Sequence, residues 1–165
     1  MSNLNKARLF TLSVVTSMVV TDQIIKHFID LYLKPISVKA LIPGFIQLHY
    51  FENDGAMMGF MSGKTELMTV VSVICMAAIL AVLLSGKIKF GTEYVCIVFM
   101  AAGGFGNIID RIFRGYVIDY IEVLFVDFYI FNFADCLVTC SAFTIIFYEL
   151  YSVYREYKNK KEKNT

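Results

Sequence analysis

The chain has 165 residues, of which 58% are hydrophobic and only 18% charged, where a soluble domain carries about 25% charged residues. With a mean hydropathy of +0.64, that balance excludes an ordinary water-soluble domain and points to a membrane protein of a single domain. Fifteen basic against fourteen acidic residues leave no nucleic-acid footprint, and two histidines, His27 and His49, are too few for a His-rich metal site.

A membrane-spanning helix needs about 20 mainly apolar residues. The first candidate covers about 9–29, interrupted only by Asp22 and Lys26. It follows the basic residues Lys6 and Arg8, as a signal peptide would, but no A-x-A-like cleavage site comes after it, so we expect a retained helix. The second, about 67–85, is uncharged. The third, about 93–112, is uncharged between Glu93 and Asp110. The fourth, about 136–154, contains only Glu149. The four cysteines show no zinc or disulfide spacing; Cys136 and Cys140 lie one helical turn apart but read as small hydrophobes. The lack of alternation in these runs argues against barrel strands.

Two segments remain, about 30–66 and 112–135, both with β-like runs such as F-I-Q-L-H-Y-F (45–51) and Y-V-I-D-Y (116–120). Gly44, Gly55, Gly59, Gly63 and Gly115 mark turns. If both termini are cytoplasmic, nine Lys and Arg fall inside and five outside, the bias expected of that orientation. The expected fold is an α-helical membrane protein: four transmembrane helices, a small extracytoplasmic β-like cradle, and a solvated basic tail over 155–165.

Ionisable groups at membrane depth are costly and mark function or structural pairing. Asp22 and Lys26 are four apart on one helical face and read as an ion pair orienting the helix. In F-E-N-D-G, Asn53 precedes Gly55; this is a turn signal, but an amide also suits an extended peptide substrate. G-G-F-G-N-I-I-D-R (103–111) lacks the G-K-[ST] of a nucleotide loop. Its glycines permit close helix contact, and Asn107, Asp110 and Arg111 form one polar face, read for Asp110 and Arg111 as capping and ion pairing in support of the site.

Asp119 follows the third helix and Asp135 precedes the fourth, where it also reads as an N-cap acid. The connecting loop can bring them together. Two carboxylates in one site share a proton, which suits hydrolysis: one takes a proton from water while the other donates. Neither a metal nor a covalent nucleophile is required. Glu122 and Asp127 read as solvent-facing loop acids.

Five motifs in order, T-D-Q-I-I-K (21–26), N-D-G-A-M-M-G (53–59), G-G-F-G-N-I-I-D-R (103–111), G-Y-V-I-D-Y (115–120) and F-N-F-A-D (131–135), resemble the bacterial lipoprotein signal peptidase (signal peptidase II) family. The resemblance implies a cofactor-free aspartyl peptidase of the cytoplasmic membrane with its site toward the extracytoplasmic face. Such an enzyme removes signal peptides from diacylglyceryl-modified prolipoproteins, just before the lipid-bearing cysteine. It places the catalytic pair on Asp119 and Asp135. The remaining motif positions fall on Asp22, Lys26, Asn53, Gly106, Asn107, Asp110, Arg111, Asn132 and Ala134, with Asn53 and Arg111 contacting substrate. It also implies binding of the cyclic peptide globomycin. The chain departs from the family at Met57 and Met58, where Ala and an aromatic are usual, at Gly104 and Phe105, and at Tyr120. A proton-coupled transporter is disfavoured by the absence of repeats. A non-catalytic assembly protein leaves the two aspartates unexplained, and the G-x-G-D string of another intramembrane aspartyl class is absent.

Overall fold

In a computed structural model, residues 3–55 and 64–163 are described; Met57, Met58, Gly59 and Gly63, expected at pocket and turn positions, lie outside them. The elements are α1 (Asn3–Phe28), a π-helical turn (Ile29–Leu33), β1 (Val38–Ile42), β2 (Ile46–Asn53), α2 (Thr65–Leu84), α3 (Thr92–Phe113), β3 (Val117–Val123) and α4 (Phe133–Lys163).

Among the described residues, four helices are long and apolar enough to cross a membrane. The 20 residues of α2 span about 30 Å, the thickness of a hydrocarbon core. Valine and isoleucine are frequent in these helices although they favour strands in water. In lipid no solvent satisfies the backbone, and the helix does so internally. Large apolar side chains such as Ile74, Leu84 and Phe147 are accordingly exposed on the outer faces.

The helix ends are chemically marked. Pro35 follows the π-helical turn and supplies no N–H for its continuation. Gly115, at φ +81°, follows the C-cap of α3 in a left-handed conformation that frees the chain to enter β3. Four boundaries differ from expectation, the first being that α1 already begins at Asn3 and not near residue 9. The α1 helix and its π-helical turn together reach Leu33, and α4 starts at Phe133, so Asp135 lies inside its first turn. The basic tail continues α4 as an exposed helix to Lys163, carrying i,i+4 pairs such as Glu156–Lys160 at 2.7 Å.

Helix α3 is central, packing against α1, α2 and α4. Its buried face includes Ala101, Ala102, Gly103 and Gly106, small enough to let neighbouring backbones approach. A Cβ on Gly103 would run into the Ala134 carbonyl and Val138 of α4; one on Gly106 would lie 2.6 Å from Asp22 Oδ2 on α1. Gly106→Ala is therefore expected to lower stability by about 1–3 kcal/mol through overpacking, read as a fall in melting temperature of the detergent-solubilised protein.

The three strands form one antiparallel sheet in the order β1-β2-β3 at the end of the bundle where α1 and α3 finish and α4 begins. Leu33 of the π-helical turn packs with Ile118 and Tyr120 beneath it. Strand β2 carries an extra residue between Leu48 and Phe51 relative to β3, so that Phe51 pairs with Asp119 and Asn53 with Val117. Such a bulge re-aims the side chains beyond it.

Candidate active site

The polar groups of α1 and α3 meet inside the bundle. Lys26 is fully buried and its ammonium lies 2.9 Å from Asp22 Oδ2 and 2.8 Å from Asp110 Oδ2. Arg114, one turn after Asp110, approaches it at 3.4 Å and reaches Asp30 at 3.8 Å, so the buried pair of acids is linked outward to the surface. Gln23 adds a bond to Asp110 Oδ1 (3.1 Å). The Asp22–Lys26 pairing agrees with its i,i+4 spacing; its partner on α3 does not follow from spacing.

Lys26 also donates to Asn107 Oδ1 (3.0 Å). An ammonium only donates, so this contact fixes which end of the Asn107 amide is oxygen. Its Nδ2 is thereby turned to Asp135 Oδ1 at 2.8 Å. Asn132 and Asp135 form a reciprocal cap on α4. The Asp135 N–H donates to Asn132 Oδ1 (2.9 Å), and the Asn132 N–H donates to Asp135 Oδ2 (3.1 Å). The cap position expected for Asp135 thus belongs to Asn132. With its oxygen engaged, Asn132 aims Nδ2 at Asp119 Oδ1 (2.7 Å) and Asn107 Oδ1 (3.1 Å). Asn53 is oriented the same way: its Oδ1 accepts from Gly55 N–H (3.1 Å) in an Asx turn, and its Nδ2 donates to Asp119 Oδ2 (2.8 Å).

Each of the four carboxylate oxygens of Asp119 and Asp135 therefore faces one N–H donor held from behind. Both acids line a cavity of about 350 Å³ together with Asn53, Asn107 and Arg111. Asp119 is only 1% exposed. Burial, then repulsion from Asp135, pushes its carboxyl up from the usual 3.8 to about 7, against the pull of the Asn53 and Asn132 hydrogen bonds.

Of the expected polar face on α3, Asn107 and Arg111 turn to the cavity while Asp110 turns to α1. Arg111 forms no ion pair among the described residues, and its buried Nε has no hydrogen-bond partner there. It is not the structural ion-pair residue expected from its spacing. Ala134 is buried in the first turn of α4, 3.4 Å from where a Cβ on Gly106 would lie, so both small residues keep α1, α3 and α4 close. Glu122 is not a loop acid but a half-buried residue of β3, accepting from Gln47 (2.6 Å) and paired with His49 (2.8 Å). The Gln47 hydrogen bond, aided by His49, holds its carboxyl below the usual range. Asp127 is exposed, as expected.

Four further lining residues were not singled out from sequence: Tyr129, Ile130, Val138 and Thr139. Val138 and Thr139 stand three and four positions after Asp135, so helical periodicity alone would have found them. No local signal marks Tyr129. Among the described residues no group of three His, Cys, Asp or Glu is placed to hold a metal ion.

Fold and site together define a multi-pass membrane protein whose helices enclose a polar cluster leading to a hydrogen-bonded carboxylate pair. A family model described as "Signal peptidase (SPase) II" matches residues 14–151. The chain is 32% identical to a lipoprotein signal peptidase of Lactobacillus johnsonii over 81% of its own length and 86% of the relative's. It is 33% identical to one from Streptococcus pyogenes serotype M5, over 86% and 92%. It also resembles a bacterial membrane enzyme solved by the in meso method at 2.3 Å resolution, with a TM-score of 0.79 at 29% identity over 87% of this chain and 89% of that one. A second such structure, at 1.9 Å, gives 0.76. The chain belongs to the signal peptidase II family, a family of membrane peptidases that process bacterial lipoproteins.

Proposed function

We propose that this peptidase removes the signal peptide from diacylglyceryl-modified prolipoproteins before the lipidated cysteine, with Asp119 and Asp135 as its catalytic pair. The observation that carries this reading is the arrangement of four oriented N–H donors around two carboxylates in one cavity. Two acids so close share one proton. Asp119, buried and raised to about 7, holds it. Asp135 takes a proton from water as the oxygen attacks the scissile carbonyl. Asp119 gives its proton to the carbonyl oxygen, and collapse of the tetrahedral centre breaks the C–N bond as the amine gains a proton from the pair. Water is consumed; an acid and an amine are released.

Arg111 and Asn53 flank the pair and offer donors to the substrate backbone. Asn107 and Asn132 orient the carboxylates. Asp22, Lys26 and Asp110 hold the inner ends of that network, Gly106 and Ala134 allow the close approaches, and the Gly55 N–H steadies the Asn53 side chain. The whole chain works as one peptidase domain in the bacterial cytoplasmic membrane. Both termini are cytoplasmic and the sheet faces the other side, where a translocated lipoprotein presents its bond. Globomycin-type cyclic peptides occupy the same cavity and compete with substrate.

The test is cleavage of a purified lipidated prolipoprotein by the detergent-solubilised protein. A product that begins at the lipidated cysteine supports the reading; an intact substrate removes it. EDTA is expected to leave the rate unchanged, and strong inhibition would replace the acid pair with metal chemistry.

A further inference from the structure

The cavity has a polar side and an apolar side. The polar side is fully assigned to chemistry and backbone binding. The apolar side is formed by Tyr129, Ile130 and Val138, of which Tyr129 is much the largest. Its ring is held rather than free. It stacks on Phe128 with centroids 4.1 Å apart and meets Phe131 edge-on at 6.3 Å. Phe131 in turn is tied to β3 by paired backbone bonds with Ile121 at 2.8 and 3.0 Å. The ring therefore stands against the cavity as a supported wall, close enough to the carboxylates for its phenol to be pushed up, first by burial and then by Asp135 and Asp119.

We infer that Tyr129 is a specificity-determining residue whose ring gauges the side chain immediately preceding the scissile bond. This rests on the reading of the cavity as the peptidase site. The residue after the bond carries two acyl chains, too large for about 350 Å³ and soluble in the surrounding bilayer. The apolar wall of the cavity is left for the residue before it. A wall of one supported aromatic ring excludes by bulk, and apolar pockets separate side chains differing by a single methylene by about 10–200-fold.

The experiment compares kcat/KM for two lipidated prolipoproteins that differ only in that residue, Ala against Leu, using the full chain in detergent. The wild type is expected to favour Ala. Tyr129→Ala, or Tyr129→Leu should the first fold poorly, is expected to raise the Leu/Ala ratio by about tenfold or more, while Tyr129→Phe keeps the wild-type ratio. A ratio does not depend on the folded fraction, so a merely structural role would not move it. Wild-type indifference to the residue, an unchanged ratio in both truncations, or a Phe variant as relaxed as the Ala variant overturns the inference. Failure of the wild type to cleave either substrate would instead overturn the peptidase reading beneath it.

Discussion

Asp119→Asn and Asp135→Asn are each expected to lower kcat for prolipoprotein cleavage by about 10²–10⁴-fold, the range lost when a positioned acid or base is removed. An amide neither accepts the water proton nor donates one of comparable acidity. The two losses should not add in the double variant, because one shared proton serves both residues. Each variant should remain folded, since Asn fills the same space and only one of the two donors facing each acid loses its acceptor. Near-normal turnover by either single variant would sink the pair assignment. The same proton sets the pH profile: as pH rises past about 7, Asp119 loses it and kcat/KM falls. Stability follows with a definite sign. The folded state holds this proton more tightly than the unfolded chain, so stability falls as pH rises from about 4 to about 7. Asp119→Asn should abolish that contribution to the fall, read as melting temperature against pH.

Lys26→Met is expected to cost about 3–5 kcal/mol, because it strands Asp22 and Asp110 without their shared cation. Both acids are essentially unexposed, at 1% and 0%, inside a helical bundle where an unpaired charge is costly. The loss should appear as a large fall in melting temperature in detergent. Activity should fall beyond what the folded fraction explains, since Asn107 loses the contact that turns its Nδ2 to Asp135. Asp22→Asn makes the complementary case. It keeps a group beside Lys26 and does not touch the Asn107 contact, so it should harm stability more than chemistry. A well-folded but inactive Asp22→Asn protein would contradict the supporting role of that residue. A Lys26→Met protein of unchanged melting temperature would contradict the buried-pair account.

What near neighbours in the chain decide and what only the fold decides divide along a physical line. Whatever depends on near neighbours in sequence could be read directly. The four spans follow from runs of about 20 apolar residues, the Asp22–Lys26 pair from a spacing of four, and the turns at Gly44 and Gly115 from their residue type; both have positive φ. The aspartate pair was legible as a candidate because two acids bracket an oily loop, and the family resemblance supplied their pairing. Periodicity also held enough to mark Val138 and Thr139, had the helix been started three residues earlier. The remainder is decided by groups distant in sequence. Asn107 reads as part of one polar face with Asp110, yet Lys26 on α1 and Asn132 before α4 divide that face, drawing Asp110 inward and leaving Asn107 on the cavity. Asn53 reaches Asp119 across a sheet whose register includes a bulge that alternation in F-I-Q-L-H-Y-F does not reveal. Arg111 reads by spacing as a capping and ion-pair residue and by resemblance as a substrate contact; in the structure Arg114 and Lys26 take Asp110, and Arg111 lines the cavity. Sequence alone determined the membrane class, the four helices and the candidate acids, since these depend on local hydrophobicity and helical spacing. Tertiary structure decided which amide faces which carboxylate and which wall Tyr129 forms, since hydrogen-bond orientation and burial arise only when distant segments exclude water together.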